Sequence, residues 1–204
     1  MSHRLLCTVQ NVDVFQDDDL RVHYTADLDD DIDGAREAYR LDNRRPPALD
    51  DIHASAGYPN GSWYNVVVPD PSNPSKPFVD ADGFCVSMTS YRRPGFAKTD
   101  RRSWVDAGRI PYAVPPGKVR QLCKGVLLGC KARITRTTDG KTIDCVCADF
   151  SGNRIGEASD FACKFFDPHL SPSNGDSRRI YLYEFFPNTP AVINGETYEL
   201  QAMG

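Results

Sequence analysis

Apolar residues along this chain mostly alternate with polar ones or gather in short runs between Pro, Gly and Asp-Gly breaks, a pattern that predicts strands far more often than helices. Extended segments fall at 21–26, 66–68, 83–89, 110–114, 125–128, 131–136, 143–149, 180–185 and 197–200. Thr138, Asp139, Gly140 and Lys141 have the composition of a hairpin turn. Helical spacing is confined to Leu49–Ala56 and Glu157–Phe166; in the second, Ala158, Phe161, Ala162, Phe165 and Phe166 recur at intervals that would line one helix face. The Pro-rich span 69–77 reads as a surface loop. The pattern as a whole predicts a mainly β chain folded as a single-domain β-barrel with a few short helices.

The stretch from Ile143 to Ser159 carries the chemistry of greatest interest. Ile143, Cys145, Val146, Cys147 and Ala148 are the small and branched residues of a strand buried on both faces, and Ser151, Gly152 and Asn153 then break it. Asp149 would close that strand. Glu157 would fall in the first turn of the following helix, where the helix dipole favours a negative charge. Two carboxyls flanking one turn are what a glycosidase uses, one to protonate the leaving oxygen and one to activate water or attack the sugar. An acid ending a strand and an acid opening a helix also arise for local structural reasons, and spacing in sequence does not fix the distance between their oxygens.

Composition narrows the field. With 204 residues, 40% of them hydrophobic, the chain can bury the core of one domain, taken as 1–204. No apolar run approaches the length of a membrane span. The first ten residues lack the apolar core of a secretory leader, so the expected location is cytoplasmic as made, or outside by a leaderless route. The seven cysteines are odd in number and lack paired zinc spacing; most read as buried small apolar residues of a reducing compartment. His23, His53 and His169 show no ligand spacing, and there is neither a nucleophile elbow nor a phosphate-binding loop, so no metal or cofactor is expected.

Charge is distributed unevenly. Asp13 to Asp33 contains nine aspartates and one arginine, whereas Arg92, Arg93, Lys98, Arg101 and Arg102 form one basic segment and Arg178 with Arg179 another. A net charge of -4 has the wrong sign for a general nucleic-acid binder, and a cleft lined by carboxylates would attract a polycation. Asp17, Asp18 and Asp19 read as a solvated face. Asp29, Asp31, Asp33 and Gly34 imitate the start of a calcium loop, but the twelfth position, which must supply a bidentate acid, is Arg40. Trp63, Tyr64, Tyr91, Trp104 and Tyr112 sit near turns or strand ends, where their rings would either stack on sugars or close the core.

The segment Asp149–Ser159, with its Gly-Glu-Ala-Ser run beginning at Gly156, resembles the catalytic motif of the family 75 glycoside hydrolases, the fungal-type chitosanases. Further segments match in order: Ala26–Ala35 with Ala38–Asn43, Leu49–Asp51, Gly61–Tyr64, Gly83–Ser90 and Trp104–Pro115. The family-like core thus runs from about 22 to 166, with 167–204 as a C-terminal extension in which Tyr181–Phe186 would form an added strand and which would offer a surface to a protein partner. Family members often carry Gly-Pro soon after the Asp; here Phe150, Ser151 and Gly152 follow, with a shorter gap to the Glu. The resemblance implies a barrel related to the double-psi type and endo hydrolysis of a β-linked amino-sugar polymer with inversion. It implies Glu157 as general acid, Asp149 as general base, and Asp27, Asp29, Trp63 and Tyr112 as substrate-binding residues. Two other readings fit the same residues: a peptidoglycan-cleaving glycosidase acting as an antibacterial effector, and a non-catalytic sugar-binding or interaction module.

Overall fold

The computed structural model describes residues 3–123 and 125–202. They form two compact units, one built from 1–31 together with 110–204 and the other from 32–109. The first unit carries β1 (His3–Val9), β2 (Val12–Asp17) and β3 (Val22–Asp31). The second contributes β4 (Pro69–Asp70) and β5 (Asn73–Pro77). The chain then returns to the first unit with β6 (Tyr112–Val114), α1 (Gly117–Leu122), β7 (Cys130–Arg136), β8 (Thr142–Cys147) and β9 (Glu157–Ser159). It ends with α2 (Asp160–Phe166), β10 (Asp176–Ile193) and β11 (Glu196–Tyr198).

The first unit is a closed barrel of six strands. Strand β3 pairs with β10, β10 with β7, and β7 with β8, all antiparallel. Strand β8 runs parallel to β6, β6 antiparallel to β9, and β9 parallel to β3, which completes the ring. The β1–β2 hairpin extends the sheet from the start of β3, and β11 pairs with the end of β10. Period-two alternation explains the interior: Val22, Tyr24, Ala26 and Leu28 on β3, Tyr181, Tyr183 and Phe185 on β10, and Ala132 and Ile134 on β7 are all buried in one core. Small residues face large ones. Tyr24 and Tyr183 are register partners whose rings stack at 5.1 Å, whereas Ala113, Cys145, Cys147 and Ala158 supply the low volume that lets so narrow a barrel hold those rings. All seven cysteines are buried, and none is in a disulfide.

Several elements differ from the sequence expectation. Glu157–Ser159 is a strand, not a helical turn, and α2 starts only at Asp160, capped by the Ser159 hydroxyl accepting the Ala162 amide. Strand pairing with β3 and β6 overrides the helical periodicity there. The 49–56 segment forms turns. The expected loop at 69–77 contains the short β4–β5 hairpin. Strand β3 runs past Ala26 to Asp31, and residues 3–17 supply a hairpin that the pattern did not announce. Asp17 is not solvated: it is 6% exposed and paired with Arg21 at 2.6 Å and His23 at 3.1 Å. The strand expected as an addition after 166 is β10, which joins β3 to β7 and without which the barrel does not close.

In the second unit, Val68, Val86 and Trp104 form a small core with Phe78 and Met88 packed on it. Isolated bridges such as Val67 to Ser87 and Tyr39 to Cys85 replace the strands expected at 66–68 and 83–89.

Asp30 is an acid on the core side of β3, opposite Ala158 in register. Both of its carboxyl oxygens are buried, and in the protonated form Asp30 hydrogen-bonds to the side chain of Asp160. Burial and the neighbouring Asp160 carboxylate push it up to about 8, against the opposing pull of Lys164, which bonds Asp160 at 2.9 Å. The folded protein therefore keeps a proton that the unfolded chain releases near pH 4, and loses relative stability as pH rises from there to about 8. Asp30→Asn is expected to be more stable than the parent by at least about 1 kcal/mol at pH 8, with the advantage shrinking toward pH 4; urea melts across that range would show it, and a pH-independent difference would contradict it. Ending the chain after Phe166 removes β10 and is expected to abolish cooperative unfolding, as followed by circular dichroism.

Candidate functional site

The alternation that sends Ala26 and Leu28 into the barrel turns Asp27, Asp29 and Asp31 to the outer face of β3. Strand β9 lies parallel to it with Glu157 opposite Asp29 and Ser159 opposite Asp31. Because Ala158 is in the core, Glu157 also faces outward. Four carboxyl groups thus share one face of two adjacent strands, whose backbones run about 4.8 Å apart. The Asp31 carbonyl accepts the Tyr112 hydroxyl at 3.1 Å, and the Ser159 hydroxyl accepts the Tyr112 amide at 3.0 Å, which fixes β6 against the row.

Glu157 is the most perturbed member. Its side chain is 12% exposed. Burial above all, then the charge of Asp31, with smaller contributions from Asp29 and Asp27, pushes its carboxyl up to about 7. Arg154 opposes them: its guanidinium lies 3.1 Å from Glu157 and 3.4 Å from Asp29. That side chain is 63% exposed, so solvent screens it, and burial with like charge prevails. Asp27 is shifted upward too, by burial first and then by Asp29.

The loop between β8 and β9 is tied to β3 through Gly156. Its carbonyl accepts the Asp29 amide at 2.8 Å and the Tyr183 hydroxyl at 2.7 Å. Its φ of +95° lies in the region that L side chains rarely adopt, and a Cβ there would stand 2.2 Å from Asp27 Oδ1. Upstream in the loop, the Ser151 hydroxyl donates to the Arg154 carbonyl at 2.5 Å, and the Ile155 amide donates to Gln10 Oε1 at 3.2 Å. Glycine at 156 is what allows the loop to approach the acidic row.

The structure sorts the sequence-derived residues. Asp27, Asp29 and Glu157 come together. Asp149 does not join them in the expected way: it is 8% exposed, its Oδ1 accepts the Phe150 amide at 2.7 Å, and β6 separates its strand from β9. Asp149 lies two residues beyond the end of β8, whereas Glu157 opens β9. Two strand spacings put their backbones about 10 Å apart. Tyr112 is fully buried. Trp63, in the second unit, is 5% exposed and packed edge-on to Tyr58 at 5.5 Å. Of the two roles open to these rings, closing the core is the one their burial matches.

Two members of the site, Asp31 and Arg154, escaped the sequence reading. For Asp31 a signal existed: Asp27, Asp29 and Asp31 continue the period-two alternation of 21–26. Arg154 had none, because its partners lie 125 and 3 residues away and meet only through β3–β9 pairing. Among the described residues, no group of three or more His, Cys, Asp or Glu side chains is disposed to hold a metal ion, and no helix is long and apolar enough to cross a membrane.

Gly156→Ala is expected to cost more than about 2 kcal/mol in denaturant unfolding, through the positive φ and the clash with Asp27; a cost below 0.5 kcal/mol, a bound of roughly the size seen for neutral surface changes, would contradict it.

No protein-family model matches this chain, and no curated protein matches it either.

Proposed function

We propose that this chain is a glycoside hydrolase that cuts β-linked amino-sugar polymers internally, with Glu157 as the general acid. The observation that carries the reading is a carboxyl held up to about 7 beside three further carboxyl groups on one strand face. A general acid must keep its proton at the working pH and give it to the glycosidic oxygen, and burial among like charges supplies that property. The surplus of negative charge favours a cationic sugar over a neutral one. The partner carboxylate best supported by the geometry is Asp29, directly opposite Glu157 in register, in place of Asp149 behind β6. The motif resemblance from Asp149 to Ser159 supports the same substrate class but not that choice of partner.

Reducing-end release from chitosan, chitin and peptidoglycan tests the activity. Glu157→Gln is expected to lower kcat by about a hundredfold or more, and the parent's activity to fall as pH rises through about 7, where Glu157 loses its proton. Asp29→Asn is expected to cost at least about a hundredfold and Asp149→Asn less than about tenfold, both with unfolding midpoints near the parent's. The anomeric form of the first product, read by NMR, reports the same choice: a pair directly opposed on neighbouring strands favours retention, and a pair two strands apart favours inversion. Muropeptide release with no cleavage of chitosan would redirect the reading to peptidoglycan. Binding without turnover of any of the three would overturn hydrolysis.

A further inference from the structure

Arg154 is out of place in a site built to receive a cation. Its guanidinium lies between the two opposed acids, 3.1 Å from Glu157 Oε1 and 3.4 Å from Asp29 Oδ2. Its side chain is 63% exposed, and among the described residues no other basic side chain is paired with Asp29 or Glu157. A structural ion pair would bury its charge or fork two bonds onto one carboxylate, as Arg178 does on Asp176 and Arg102 on Asp100. Arg154 instead makes one contact to each of two carboxylates. The peptide bond that follows it is held at both of its polar atoms: the Arg154 carbonyl accepts the Ser151 hydroxyl, and the Ile155 amide donates to Gln10. The side chain can therefore swing into solvent while the loop stays in place.

We propose that Arg154 is a built-in cation that occupies the acidic row and is displaced by the ammonium group of the substrate, so that the row admits only a ligand whose positive charge replaces the one removed. This rests on the amino-sugar reading of the site and adds a determinant of its specificity. A protonated amine restores the charge balance of Asp29 and Glu157 when the guanidinium leaves. An acetylated sugar does not, and leaves the Asp29 carboxylate beside the protonated Glu157 with no counter-charge, which disfavours its binding. Displacement costs little, because an ion pair made by a solvent-exposed side chain is weak.

The test compares Arg154→Gln and Arg154→Lys with the parent, using a glucosamine tetramer and its fully N-acetylated counterpart as probes in calorimetric titrations at pH 5.5 and low salt. Arg154→Gln is expected to bind the glucosamine tetramer roughly threefold to tenfold more tightly than the parent, the gain fading in high salt. Its affinity for the acetylated tetramer is expected to change by less than about twofold, and Arg154→Lys is expected to stay close to the parent. Weaker or unchanged binding of the glucosamine tetramer to Arg154→Gln would overturn the proposal, since Arg154 would then hold substrate itself or play no part. An equal gain for both tetramers would overturn it too. These readouts are binding constants, so a chain that shows the selective gain but releases no reducing ends keeps the cation gate and loses the hydrolase reading, while turnover without the gain does the reverse.

Discussion

The parallel pairing of β3 with β9 is the constraint on which the site depends. Three residues of each strand are in register, Asp29 with Glu157, Asp30 with Ala158 and Asp31 with Ser159, and so short a ladder needs help. It comes from Gly156, whose carbonyl takes both the Asp29 amide and the Tyr183 hydroxyl. Tyr183 in turn stacks on Tyr24 in the middle of the barrel. A chain of contacts thus runs from the core rings through one glycine carbonyl to the acidic row, so barrel packing and site geometry are not separable.

That arrangement is electrostatically expensive. Asp27, Asp29, Asp31 and Glu157 share one side of the strand pair, and Asp30 sits on the other with Asp160 beside it. Removing like charges from water raises the free energy of their ionised forms, and the chain answers by holding protons on the most buried members. Glu157 and Asp30 are both pushed far above the carboxylate range, one facing outward beside an exposed arginine and the other inward beside Asp160. Local instability of this kind is a common signature of a site that does chemistry, where folding energy from elsewhere sustains a perturbed group. Here the core supplies it, since the large rings of Tyr24, Tyr181, Tyr183 and Phe185 are buried within the same barrel.

The β character of the chain was legible because 130–136 alternates cleanly, 143–147 is a short run of small and branched apolar residues, and the two are joined by a turn whose Gly140 takes φ of +75°. The same rule misread Glu157–Phe166. Its apolar spacing is helical, and α2 indeed occupies the later part, but the first three residues are captured by pairing with β3 and β6. Asp149 shows what a local reading leaves out. Its place at a strand end suggested a partner for Glu157 across one turn, yet β6, which lies more than thirty residues earlier in the chain, is inserted between the two strands.

By itself the sequence determined which residues are apolar at period two, hence the strands, their inward faces and the small residues that let a narrow barrel fill with aromatic rings. It also determined that Glu157 and the aspartates of 27–31 would be present to carry charge. Tertiary structure alone decided which of those charges meet. Strand neighbours in a closed barrel are chosen by which edges remain to be hydrogen-bonded, an outcome of the whole ring and of no local stretch. Glu157 therefore acquired Asp29 and Arg154 as companions, and Asp149 a place behind an intervening strand.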